Sequence, residues 1–148
     1  MAVGTKRLTN AQLAEQLRVA ITRLTRRLRQ TRPMGELTQN QISVLASLEL
    51  AGALTPRELA EAERVQPPTM TKVLARLEER GLVQRAPHPT DGRQVLLSAT
   101  EAGRGVLLEQ RRMKAEWLTG RLARLSAADR EVLAQAAEIL DRLARESD

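Results

Sequence analysis

The side chains best equipped for chemistry in this sequence are hydrogen-bond donors and cations rather than nucleophiles. Pro68, Thr69, Thr71, Lys72 and Arg76 fall in one short stretch. Between them Met70, Val73, Leu74 and Leu77 recur at the three-to-four spacing of a buried helical face. The polar set therefore lies on the rest of the same helix. Hydroxyls near its start can bond phosphates or bases, and Lys72 and Arg76 can reach phosphate oxygens or guanine edges. A solvated surface helix has the same composition, so the flanking elements must decide between the two readings.

Catalysis lacks its usual parts. The chain has no cysteine, which removes disulfides, thiol redox sensing, zinc fingers and iron–sulfur clusters. Its one histidine, His88, sits between Pro87 and Pro89, and a lone histidine makes a poor metal site. Asp129 and Glu131 do not suffice for a metal-sensing cluster. There is no glycine-rich phosphate loop and no Ser/His/Asp set on separate element ends. The sequence is expected to be no enzyme and to need neither cofactor nor metal. It has no leader-like apolar stretch of about 7–15 residues and no apolar run of about 18. A cytoplasmic protein without a membrane partner is expected.

The elements that position these residues are well punctuated. Thr9-Asn10-Ala11-Gln12, Thr38-Gln39-Asn40-Gln41 and Thr55-Pro56-Arg57-Glu58 each fit a capping box, the last with proline at the first helical position. Ser98-Ala99-Thr100-Glu101 and Ser126-Ala127-Ala128-Asp129 mark two further starts, and Pro67 another. Leu13, Leu17, Ile21, Leu24 and Leu28 trace a long first helix, and Ile42, Leu45 and Leu48 a second that ends near Gly52. A short third spans residues 56–64 and a fourth residues 67–80, stopping at Gly81. Val106, Leu107, Met113, Trp117 and Leu118 lie on a fifth; Val132, Ala136, Ile139, Leu140 and Leu143 lie on a sixth.

Between the fourth and fifth helices the period changes. Residues 82–86 and 94–98 read as short strands, and Asp91-Gly92 between them reads as a turn in which glycine supplies a positive φ. The order is thus helix, turn, helix, hairpin. A helix-turn-helix sets its second helix in the major groove of DNA. The fold class expected is mainly α with a small β-hairpin wing: a winged helix-turn-helix plus a helical dimerisation domain.

Charge and composition fit this organisation. The 148 residues carry a formal charge of +6, and residues 1–32 alone hold eight basic groups against one acidic. A basic balance permits polyanion binding. One tryptophan and no phenylalanine or tyrosine leave the core to aliphatic residues. The terminal helices carry apolar stripes longer than a small winged domain can cover, and such patches mark interfaces. The alternative is that these helices fold back on their own domain. We expect a dimerisation helix in residues 1–36, the DNA-binding domain in 37–99 and dimerisation helices in 100–148.

From Leu37 to Gly103 the sequence resembles the multiple-antibiotic-resistance regulator (MarR) family. The likeness runs through Leu54-Thr55-Pro56-Arg57-Glu58-Leu59-Ala60 and is tightest from Thr69 to Arg85. It closes with Asp91-Gly92-Arg93 and Thr100-Glu101-Ala102-Gly103. The resemblance implies a homodimeric regulator binding double-stranded DNA. It also implies a wing whose Asp91 orients Arg93 into the minor groove, and a small, often aromatic and anionic effector. Gly92 stands where the family often has a basic residue, and Ala99 where it usually has leucine. The function expected is a sequence-specific regulator, a repressor, binding a pseudo-palindromic operator as a homodimer and released by a small molecule. The alternative is a sequence-neutral architectural DNA-binding protein.

Overall fold

Threonine begins the first three helices. In the computed structural model, which describes residues 7–31 and 37–145, Thr9, Thr38 and Thr55 each accept a backbone N–H from the residue three further on. Gln12, Gln41 and Glu58 reach back to the threonine's own N–H. These boxes open α1 (Asn10–Gln30), α2 (Gln39–Ala51) and α3 (Pro56–Glu63). Then follow α4 (Pro67–Glu79), β1 (Val83–Pro87), β2 (Val95–Ala99), α5 (Glu101–Leu122) and α6 (Ala127–Arg145). This is the expected mainly helical fold with one hairpin.

The breaks between elements are equally local. Gly52, at φ 84°, ends α2, and Gly81, at φ 71°, turns the chain from α4 into the wing. Both need the left-handed region that glycine enters freely. Arg64 ends α3 at φ 53°, without that freedom.

The hairpin is antiparallel, pairing Val83 with Ala99, Arg85 with Leu97 and Pro87 with Val95. Both strands begin one residue later than expected. Ser98 belongs to β2 rather than to a helix start, and its hydroxyl accepts from the Gln84 amide at 3.3 Å. The cap of α5 is Thr100, which joins three segments. Its hydroxyl accepts from the Gly103 N–H (3.1 Å) and donates to the Gly81 carbonyl (2.7 Å), and its own N–H donates to Leu82 (3.0 Å). Leu54 and Leu97 exchange backbone bonds of 3.0 and 2.8 Å, tying the entry to α3 onto β2.

One aliphatic core holds the winged segment together. Leu45 and Leu48 of α2, Leu59 of α3, Leu74 and Leu77 of α4 and Leu97 of β2 are all essentially inaccessible. Full burial of each such side chain is worth roughly 1.5–3 kcal/mol. Leu107 of α5 joins from the far side, while Val73, expected to be buried, is half-buried against the core. Neither α1 nor α6 has a buried residue. Their apolar faces therefore do not fold back into this core.

Candidate nucleic-acid interface

Helix α4 divides cleanly by face. Met70, Leu74 and Leu77 are buried, while Pro68, Thr71, Lys72, Ala75, Arg76 and Glu79 are exposed and follow one another at helical spacing. Thr69 is exposed beside them. The structure thus brings Pro68, Thr69, Thr71, Lys72 and Arg76 together on one side of a helix anchored by its other side. Neither Lys72 nor Arg76 is ion-paired with another described residue. The Thr71 hydroxyl donates to the Pro67 carbonyl at 3.0 Å, so its proton is used within the helix while its lone pairs face outward.

The start of α4 is unusual for an anion-binding helix. A helix N-terminus ordinarily offers free backbone N–H groups to phosphate. Here the first two helical residues are Pro67 and Pro68, which have none, and the Thr69 and Met70 N–H groups both donate to the Gln66 carbonyl. Phosphate contacts from this helix must come from side chains. Sequence reasoning missed Ala75, because it sought polar groups. Its methyl sits on the exposed stripe just before Arg76, where it can meet the methyl of a thymine. The spacing from Thr71 and Pro68 was the available signal. Arg64, exposed at the end of α3, was missed as well. It borders, with Arg57, an open groove that reaches Pro67.

At the wing tip two expectations need correction. The turn spans Asp91 to Gln94, closed by the Gln94 N–H on the Asp91 carbonyl at 3.1 Å, and Gly92 does not adopt a positive φ. What shapes the turn is the Asp91 side chain. Its Oδ1 accepts the Arg93 backbone N–H at 3.0 Å and its Oδ2 the Gln94 side-chain amide at 3.2 Å. Asp91 therefore does not hold the Arg93 guanidinium. A carboxylate two residues before a backbone N–H finds it without ordering a long side chain, and that local bond wins. Asp91 is half-buried, and Arg93 is exposed, its guanidinium bonded to no other described residue.

His88 completes the tip. Its N–H donates to the Gln94 carbonyl at 3.2 Å, and its ring Nδ1 accepts from the Asp91 N–H at 3.1 Å and the Thr90 N–H at 3.3 Å. Below it, Arg85 of β1 is paired with Glu78 of α4, which fastens the hairpin to that helix.

Known proteins share this architecture. A family model described as the MarR family matches residues 37–95. An HTH-type transcriptional regulator of Mycobacterium tuberculosis is 45% identical over 139 residues, covering 94% of this chain and 97% of its own. The HTH-type transcriptional repressor MdtR of Bacillus subtilis is 36% identical, over 76% of this chain and 70% of its own. A crystal structure of a mutant Escherichia coli MarR complexed with operator DNA matches with a TM-score of 0.59 at 26% identity, covering 86% of this chain and 92% of that one. The family model lies on the winged segment and the mycobacterial relative extends the likeness to nearly the full length, so the chain belongs to the MarR family: it is a winged helix-turn-helix, DNA-binding transcription regulator and not an enzyme.

Proposed function

We propose that this protein is a cytoplasmic, sequence-specific repressor that binds a pseudo-palindromic operator as a homodimer. The observation that carries this reading is the exposed stripe of α4, which presents Thr69, Thr71, Lys72 and Arg76 outward from a firmly packed helix. Laid in the major groove, α4 reads base edges through Arg76 and grips phosphate through Lys72, with Pro68 and the two threonines at the entering end. The wing tip then lies over the neighbouring minor groove. There Arg93 gains from the negative potential of narrow A·T tracts, and Asp91 shapes the turn from which it extends. Repression is the activity named for the Bacillus relative, and an operator complex is known for the Escherichia coli one.

Dimerisation assigns residues 1–36 and 100–148 to the interface and 37–99 to DNA. Its support is the apolar surface left on α1 at Leu13, Ile21 and Leu24 and on α6 at Val132, Leu133, Ile139 and Leu143. A small anionic effector would release the operator by altering the spacing of the two α4 helices. Guanidinium groups for such an anion stand in the open groove lined by Arg23, Arg26, Arg27 and Gln30 on α1.

Selection of bound duplexes from a random pool tests the whole reading. The expected motif has two inverted half-sites about one helical turn apart, roughly 10–10.5 base pairs. Recovery of an unenriched pool at matched salt would mark a sequence-neutral binder instead.

A further inference from the structure

We propose that His88 is a positioning residue of the wing: its neutral imidazole, accepting through Nδ1, holds the loop that carries Asp91 and Arg93, and so makes minor-groove reading by Arg93 depend on pH. The proposal rests on the wing reading above and adds to it a residue and a regulating variable.

The loop from His88 to Gln94 is held by a chain of local bonds. Pro89 has no N–H, so the first donors after His88 are those of Thr90 and Asp91, and both point at Nδ1, at 3.3 and 3.1 Å. The Thr90 hydroxyl lies at 3.4 Å from the same atom. Asp91, fixed in this way, accepts the Arg93 N–H on one carboxylate oxygen and the Gln94 amide on the other. The path from ring to arginine backbone therefore has two steps, and each is a bond to a backbone N–H. No other described side chain accepts from the Thr90 or Asp91 N–H.

Two N–H groups converging on Nδ1 fix the ring's chemistry. A nitrogen that accepts has no proton, so this arrangement requires a ring with its hydrogen on Nε2. Protonation would place a third N–H where two already point. The acceptor disappears, the ring must turn away, and the Thr90 and Asp91 amides lose their partner. Histidine is the side chain whose charge changes in the physiological range. The charged groups along this hairpin are Asp91 and Arg93 in the loop itself and Arg85, which is already paired with Glu78 of α4. The only carboxylate in the loop, Asp91, has both its oxygens occupied in the neutral arrangement.

The test compares affinities for a selected operator duplex with A·T or with G·C flanks, at about pH 8 and about pH 5, using the full-length dimer. In the wild type the flank preference is expected to be several-fold at the higher pH and to collapse towards unity at the lower. His88→Asn places a neutral oxygen one bond from Cγ, where Nδ1 stands, and should keep the preference at both values. His88→Ala should lack it at both while retaining the contacts of α4. Nitrogen NMR of the free protein at the higher pH should find the ring proton on Nε2. A proton on Nδ1, a wild-type preference in His88→Ala, or an acid-sensitive preference in His88→Asn overturns the proposal. Arg93→Ala separates the two layers. If it keeps the wild-type preference, the wing reading falls and this proposal with it. If it flattens the preference while His88→Ala does not, only the role of His88 falls.

Discussion

Two cations on one helix turn, Lys72 and Arg76, are both exposed yet suited to different work. The guanidinium of Arg76 is a planar fork that matches the paired acceptors of a guanine edge, whereas the ammonium of Lys72 is a compact point charge. Arg76→Ala is therefore expected to cost about 1–3 kcal/mol of operator affinity and to relax selectivity at one base position. Lys72→Ala should weaken all sequences alike and reduce the salt slope by about one. Titrations of each variant against matched and single-base-changed duplexes at several salt concentrations measure both quantities, and wild-type binding by both would turn this face of α4 away from DNA. These residues were legible in the sequence because the helical period alone separates them from Met70, Leu74 and Leu77. The partner of Asp91 was not legible. Spacing puts the Arg93 side chain and the Arg93 N–H at the same distance in sequence, and only the geometry of the turn shows that the backbone group takes the carboxylate.

At the level of the element, helix starts were readable wherever threonine and a glutamine or glutamate stand three apart, because both halves of the box are local. The start of α5 is harder to read because two hydroxyl residues, Ser98 and Thr100, compete there. The sheet claims Ser98, and Thr100 alone can reach the Gly81 carbonyl and the Gly103 N–H together. That junction also explains Gly103, where a Cβ would run into the carbonyl oxygen of Leu82 and press on Leu45. Gly103→Ala should destabilise by about 1–3 kcal/mol through overpacking. The residue that ends α3 predicts the opposite sign. Arg64 holds φ at 53°, a conformation that disfavours a side chain by roughly 1–2 kcal/mol. Glycine removes that strain but gives part of the gain back as chain entropy. Arg64→Gly is thus expected to raise stability by up to about 1 kcal/mol. Denaturant midpoints read both changes, provided that the slopes match the wild type. A stabilised Gly103→Ala would mean that the α5–wing junction can yield.

For the whole molecule the decisive feature is what the chain leaves uncovered. The winged segment and Leu107 of α5 close one aliphatic core, yet no residue of α1 or α6 is fully buried. Val132 keeps 63% of its surface exposed, Leu143 57% and Ile139 48%, and they recur along α6 as a stripe. With one tryptophan and no phenylalanine or tyrosine to thicken a single core, most of the large apolar side chains still exposed lie on these two helices. A second copy is the partner that the operator symmetry proposed above would require, and specific interfaces take about 800 Å² from each side. Light scattering at micromolar concentration should therefore give about twice the 16.4 kDa of one chain. A glutamate at Ile139 would place a charge in the middle of the stripe, and leaving it unpaired there is costly. Ile139→Glu should shift the mass towards one chain while leaving the winged core folded, since Ile139 contributes nothing to it. Because a lone winged domain reads one half-site, the same variant should bind the two-half-site operator much more weakly and a single half-site about as well as before. A dimeric mass with Ile139→Glu would move the interface off this face of α6, and a monomeric wild type would remove the two-fold operator altogether.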